Sequence, residues 1–188
     1  MKKLLVVLGV IFLLVLMVFG WIRGGYDTAV TKDERVDSSW AQVENQLQRR
    51  NDLIPNLVNT VKGFAQQERD IFTEVTRLRS QWGKSASVEE KIQTANAMSG
   101  ALSRLLLVAE NYPQLKSNEN FLALQSQLEG TENRIAVERM RYNQAVQDFN
   151  TFRRTLFGRF FTGLAGVNEP ASYFEAVEGA QAVPQVQF

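Results

Sequence analysis

Two glutamates stand where helical spacing would turn a carboxylate inward. Glu68 falls between Ala65 and Phe72, and Glu138 between Ile135 and Tyr142. Intervals of three and four residues keep such positions on one face of a helix. Inward glutamates in a helical bundle can hold a pair of metal ions, but sites of that kind also use a Glu-x-x-His motif. This chain has no histidine. A buried charge needs a partner, and Arg50, Arg134 and Arg139 are available to supply one. Glu68 and Glu138 are therefore read as a buried polar layer that fixes helix register, with a cation or proton-relay site as the alternative.

Other chemistry is scarce. Without histidine the chain lacks the commonest general base and metal ligand. It also has no cysteine, which excludes disulfides, thiol chemistry and cysteine-based zinc sites. Gly83-Lys84-Ser85 has the ending of a P-loop, but Leu78 occupies the position of the first glycine and the triplet follows a helical pattern rather than a strand. No G-x-G-x-x-G or G-x-S-x-G occurs. The expectation is a protein that is not an enzyme and carries no cofactor. Lys plus Arg number 21 against 20 Asp plus Glu, so no overall field attracts nucleic acid. The basic pairs near Arg49-Arg50 and Arg139-Met140-Arg141 are interrupted by Glu44 and Glu138, the pattern of a solvated, ion-paired face.

The elements that would position these residues are helical throughout. Residues 4–22 form an uncharged apolar run, which as a helix would span about 28 Å, close to a ~30 Å hydrocarbon core. Trp21 and Tyr26 stand where interfacial aromatics belong. A cleaved signal peptide would have a shorter apolar region and a small-residue cleavage site; here the run ends Gly20-Trp21-Ile22-Arg23. Residues 1–25 are therefore read as a transmembrane anchor. Lys2 and Lys3 on one flank nearly balance Arg23, Lys32 and Arg35 on the other. The orientation adopted places the N-terminus in the cytoplasm and the rest on the exported side. Gly20 and Gly24 match the G-x-x-x-G spacing of a dimer face at the membrane edge.

Beyond residue 25, four apolar stripes recur at helical spacing. They run through Val36, Trp40, Val43 and Leu47; through Ile54, Val58, Val61, Ala65, Phe72 and Val75; through Val88, Ile92, Ala95, Met98, Leu102, Leu105 and Ala109; and through Phe121, Leu124, Leu128, Ile135, Tyr142, Phe149, Phe152 and Leu156. Asn51-Asp52 with Pro55 can start a new helix, although the first two stripes can also belong to one kinked rod. Gly83 is read as a left-handed helix end, Ser87 to Glu90 as a capping box, and Asn111-Tyr112-Pro113 as a stop. Ser117 or Asn118 starts the last helix, spanning about 118–156, with Gly130 inside it marking a close backbone approach or an irregularity. The architecture expected is all-α: an N-terminal transmembrane helix, then an antiparallel bundle of about four long helices over residues 26–157. A tail over 158–188 is read as amphipathic or irregular.

An even number of antiparallel helices returns the chain to the membrane end. The returning segment mixes Arg153, Arg154 and Arg159 with Phe157, Phe160 and Phe161, the composition of an interfacial segment. These six residues are a candidate membrane-surface contact; the alternative is that the aromatics cap the bundle or pack between protomers.

Three blocks of sequence are similar to the LemA family. They are Gln46-Leu47-Gln48-Arg49-Arg50-Asn51-Asp52-Leu53-Ile54-Pro55-Asn56-Leu57-Val58, then Ala109-Glu110-Asn111-Tyr112-Pro113-Gln114-Leu115-Lys116, then Leu128-Glu129-Gly130-Thr131-Glu132-Asn133-Arg134-Ile135-Ala136. The ending Tyr173-Phe174-Glu175-Ala176 fits as well. The resemblance implies a bacterial envelope protein with an N-terminal anchor and long antiparallel helices, without an established enzymatic activity. Relatives in magnetosome membranes, and family members encoded near membrane proteases, imply a scaffold or adaptor. Its expected partners are the lipid bilayer, other membrane or envelope proteins including a membrane protease, and further copies of itself; a structural homo-oligomer that organises or shapes membrane is the alternative. In that frame Asp52, Pro55 and Asn56 build a corner between the first two helices, and Tyr112, Pro113 and Asn120 a second corner at the same membrane-distal end. Arg50, Asp52, Asn56, Tyr112 and Asn120 are the candidate partner surface, with plain turn chemistry as the alternative.

Overall fold

The apolar run continues directly into the first amphipathic stripe without a glycine–proline break, and both lie on one helix. In the computed structural model, which describes residues 2–175, α1 spans Lys2–Lys62. It is followed by α2 (Arg69–Trp82), α3 (Val88–Glu110), a single turn α4 (Pro113–Lys116), α5 (Glu119–Arg154) and α6 (Leu156–Ala165). The described residues contain no strand. The all-α architecture of a long apolar N-terminal helix followed by packed helices is as the periodicity indicates. The structure differs from the expected stops and starts in three places.

No corner forms at Asn51-Asp52. Pro55 lies inside α1; Asp52 accepts a hydrogen bond from Gln48 Nε2 at 2.7 Å across one helical turn and caps nothing. The first turn of the chain comes instead at residues 63–68, where the Phe64 and Ala65 amides both bond the Val61 carbonyl. Gly83 does end α2, but with φ −66° it is right-handed. Gly130 sits in an uninterrupted α5, and a β-carbon there would meet only the end of the Arg134 side chain at 3.6 Å; no backbone approaches it.

Other signals hold. Ser87 caps α3 by accepting from the Glu90 amide at 3.2 Å, while the Glu90 carboxylate reaches back to the Ala86 amide. Asn118 caps α5 by accepting from the Phe121 amide at 3.0 Å. Pro113 opens α4, where its missing N–H is not needed.

The described residues pack as two compact units, residues 2–40 with 141–171 and residues 41–140 with 172–175. The second unit holds the four-helix core. Ile54, Leu57 and Val61 of α1 meet Phe72, Val75 and Leu78 of α2, Met98, Leu102 and Leu105 of α3, and Phe121 and Leu128 of α5. Antiparallel α2 and α3 are joined near their linked ends by Lys91 over the Trp82 ring, and farther out by Arg104 and Glu74 at 2.7 Å. Each of these apolar side chains contributes about 1.5–3 kcal/mol by leaving water. In the first unit α1 runs antiparallel to the end of α5: Trp40 packs edge-on to Tyr142 at 5.4 Å, and Lys32 sits over Phe152. Between residues 4 and 19, α1 is exposed all round, and the helix is long and apolar enough there to cross a membrane.

Candidate functional site

Arg50 is the most buried charged side chain of the described residues. It lies between Leu47 and Ile54 on the apolar stripe of α1, and is 3 % exposed. Its Nη1 donates to Ser99 Oγ at 2.8 Å and to Glu132 Oε1 at 3.1 Å; its Nη2 donates to the Ala95 carbonyl at 3.0 Å. Burial pulls the guanidinium pKa down, and the charge and hydrogen bond of Glu132 oppose that pull. An arginine so satisfied stays protonated. It ties α1, α3 and α5 at one level, and so is a register-fixing device rather than part of an exposed partner surface. Nearby, Arg139 is also lowered, first by burial, with Glu132 opposing and Arg50 reinforcing the shift.

The polar layer around Arg50 contains Ser99 and Glu132, the latter a carboxylate other than the expected Glu68 and Glu138. Both glutamates are only half-buried. Glu68 stands just before α2, where it accepts from the Tyr112 hydroxyl at 3.4 Å. Glu132 was legible by the same rule that picked out Glu138: it falls between Leu128 and Ile135. Among the described residues, no three acidic side chains converge to hold a metal ion.

Of the other candidate surface residues, Asp52, Asn56 and Asn120 are exposed and Tyr112 is half-buried. Only Tyr112 joins another singled-out residue, Glu68. Asp52 and Asn56 lie on the straight outer face of α1.

The strap from Ser172 to Glu175 crosses α3 and α5 in the second unit. Phe174 is buried under the Arg139 guanidinium, 4.1 Å from its ring centre. The Glu175 carbonyl accepts from Asn96 at 3.0 Å, and Ser172 donates to Glu89. That bond holds the Glu89 carboxyl below the ordinary glutamate range. Ala176 and the rest of the expected tail, residues 176–188, lie outside the described residues.

The returning segment is a helix. Thr155 caps α6 by accepting from the Gly158 amide at 3.0 Å, and Gly166 closes it with φ 77°. A β-carbon at Gly158 would lie 1.8 Å from the Phe152 carbonyl oxygen, so the corner from α5 needs glycine there. Phe161 is buried, 5.0 Å from Trp21 of α1 between ring centres, and Phe157 lies 5.3 Å from the same indole. A β-carbon at Gly25 would come within 2.2 Å of the Phe161 ring, so α6 approaches α1 closely. Two of the six membrane-surface candidates thus turn inward: Phe161 packs on α1, and Arg153 donates to the Asn168 carbonyl at 3.0 Å. Arg154, Phe157, Arg159 and Phe160 stay exposed, joined by Leu164 and by Leu156, which the fourth apolar stripe had placed on the inner face of α5 but which begins α6 and leaves that face.

Comparison with known proteins adds family and relatives. The LemA family matches residues 39–188. Two magnetosome proteins of Paramagnetospirillum magneticum (strain ATCC 700264 / AMB-1), MamQ 1 and MamQ 2, are each 26 % identical over 151 residues, covering 66 % of this chain. The magnetosome protein MamQ of Magnetospirillum gryphiswaldense (strain DSM 6361 / JCM 21280 / NBRC 15271 / MSR-1) is 24 % identical over the same length and coverage. The match spans 56 % of the length of each of these relatives. With four-fifths of its length matched by the family and the helices the family resemblance implies, the chain belongs to the LemA family.

Proposed function

We propose that this protein is a membrane-anchored scaffold or adaptor of the bacterial cell envelope. The observation that carries the reading is α1: one helix supplies both a fully exposed apolar stretch of membrane-crossing length and, from Ile54 to Val61, a wall of the bundle core. Such a helix gives the bundle a tether without a loop between them. The relatives named as magnetosome proteins support a role tied to a membrane-bound structure. The reading assigns the helical unit no catalysis.

The partners would be other membrane or envelope proteins, a membrane protease among them, met through the exposed polar positions Asp52, Asn56 and Asn120 and the half-buried Tyr112. The inner membrane with the bundle on its periplasmic side is the placement this reading adopts. In-cell crosslinking of the full chain, followed by mass spectrometry, tests it. Crosslinks from residues 52–60 and 112–120 to a second envelope protein support the adaptor reading. Crosslinks confined to further copies of this chain replace it with the structural homo-oligomer.

A further inference from the structure

The face of α6 that the fold leaves open is apolar, and its position explains why. On a helix of 3.6 residues per turn, Leu156, Phe157, Phe160 and Leu164 fall within about 100° of arc. They are 82 %, 59 %, 55 % and 53 % exposed. Gly158 and Thr162 occupy the opposite side and Phe161 the flank between, and all three are buried. Packing against α1 therefore accounts for one flank of α6 and leaves four large apolar side chains in the open, a cost that water does not repay.

What covers them follows from what α6 rests on. Its inner flank packs on Trp21 and Gly25, and the exposed apolar run of α1 ends at Ile22. If that run crosses the hydrocarbon, Trp21 lies at its edge, and α6, pressed against Trp21, lies at the same depth. The open face of α6 is then continuous with the lipid-facing surface of α1. Arg154 and Arg159 are exposed beside it, suited to anionic headgroups.

We infer that α6 is an interfacial helix, which lies on the bilayer around the end of α1 with Leu156, Phe157, Phe160 and Leu164 in the acyl-chain boundary and Arg154 and Arg159 among phosphate headgroups. This rests on the reading of residues 4–22 as a membrane span. It gives the protein two membrane contacts, one crossing and one lying flat, held together by the Trp21–Phe161 packing.

The chain has no cysteine, so single nitroxide labels can be placed without background. Full-length protein with Leu156→Cys, Phe160→Cys or Leu164→Cys is reconstituted in phosphatidylcholine–phosphatidylglycerol vesicles and read by collision with oxygen, which enters lipid, and with a water-soluble nickel chelate. Val10→Cys and Leu14→Cys report the span, and Leu107→Cys and Met140→Cys report exposed apolar sites on the bundle. The expected result is oxygen exceeding nickel at 156, 160 and 164, as at 10 and 14, and the reverse at 107 and 140. Nickel dominating at the α6 positions, with oxygen still dominating at 10 and 14, overturns the interfacial helix and leaves the anchor standing. Dipolar broadening between copies at 156 and 160 overturns it in favour of a second copy of the chain. Water exposure at 10 and 14 removes the anchor and this inference with it. A photoreactive phospholipid with unlabelled wild-type protein gives an independent reading: labelling of residues 156–164 supports the inference, and labelling confined to α1 overturns it.

Discussion

Arg79 Nε of α2 lies 3.3 Å from the carbonyl oxygen of Asn51 in α1, and that carbonyl is the one Pro55 cannot serve. In an α-helix the amide of residue 55 would bond the carbonyl of residue 51; proline has no amide hydrogen. The arginine supplies the missing donor from the neighbouring helix. The position that breaks the ladder of α1 thus becomes a cross-link to α2, and the helix runs on to Lys62.

A double-mutant cycle measures the arrangement. Arg79→Ala in the wild-type background should cost about 1–2 kcal/mol, since a charged donor is lost from a part-buried carbonyl. Pro55→Ala restores the intrahelical donor, so Arg79→Ala in that background should cost about 1 kcal/mol less. Urea unfolding of the detergent-solubilised chain, followed by helical circular dichroism, gives both numbers; equal costs in the two backgrounds would refute the substitution of one donor for another.

Arg50 and Glu132 should be unequal partners. Removing the arginine leaves a cavity, Ser99 without the donor to its hydroxyl oxygen, Glu132 without its ion pair, and the Ala95 carbonyl with only the bonds from its own helix, and Arg50→Ala should destabilise by about 3 kcal/mol or more. The Glu132 side chain is 38 % exposed, so water rehydrates what its loss leaves, and Glu132→Gln should cost about 1 kcal/mol or less. Midpoints from the same urea titrations decide the ratio, and a larger loss for Glu132→Gln would contradict the buried-arginine account.

Gly25→Val should loosen α6 alone. Its side chain would occupy the place of the Phe161 ring, an overpacking of about 1–3 kcal/mol. Hydrogen exchange should rise by about tenfold or more at the amides of 158–165 and stay unchanged in α2 and α3. Uniform protection across all helices would show that α6 does not depend on the close approach.

Acid should release the strap from α3. Glu89 accepts from Ser172, and its carboxyl titrates below the ordinary glutamate value of 4.5. A lowered folded pKa means that the stabilisation is fully present above the unfolded value, and is lost as pH falls through the folded one. Amides of residues 172–175 should exchange faster below pH 4 than at pH 6 after correction for intrinsic rates, and Glu89→Gln should abolish the difference. The same pH dependence in the Gln variant would place the titrating group elsewhere.

Much of the fold was legible because apolar periodicity is a property of each helix by itself. The stripes through Val36 to Leu47 and Phe121 to Phe149 needed no partner to be recognised. The misplaced corner at Asn51 has a definite origin. Asn, Asp and Pro in sequence are a helix start when nothing else supplies the broken bond, and the compensating donor, Arg79, lies on another helix where no local pattern reveals it. The true turn at residues 63–68 carries no proline and no left-handed glycine, so it gave a weak signal. Arg50 was singled out for its charge and assigned to the surface. Its place between Leu47 and Ile54 pointed inward, and Glu132 between Leu128 and Ile135 was its match. The outer face of α6 was half legible: the arginines and phenylalanines drew the eye, while Leu156 and Leu164 took their meaning only from the packing of Phe161 on Trp21.

That packing also orders the making of the protein. Trp21 leaves the ribosome long before Phe161, and the indole face of α1 has no intramolecular cover until nearly all the described chain has been translated. The closure joins distant positions, so its entropic cost is met only after the intervening helices have shortened the path. The helices joined by nearer contacts therefore assemble earlier, and the seating of α6 comes last. A nascent chain halted before residue 156 would carry those helices with the Trp21 platform still bare, which makes that platform a natural marker of a finished chain.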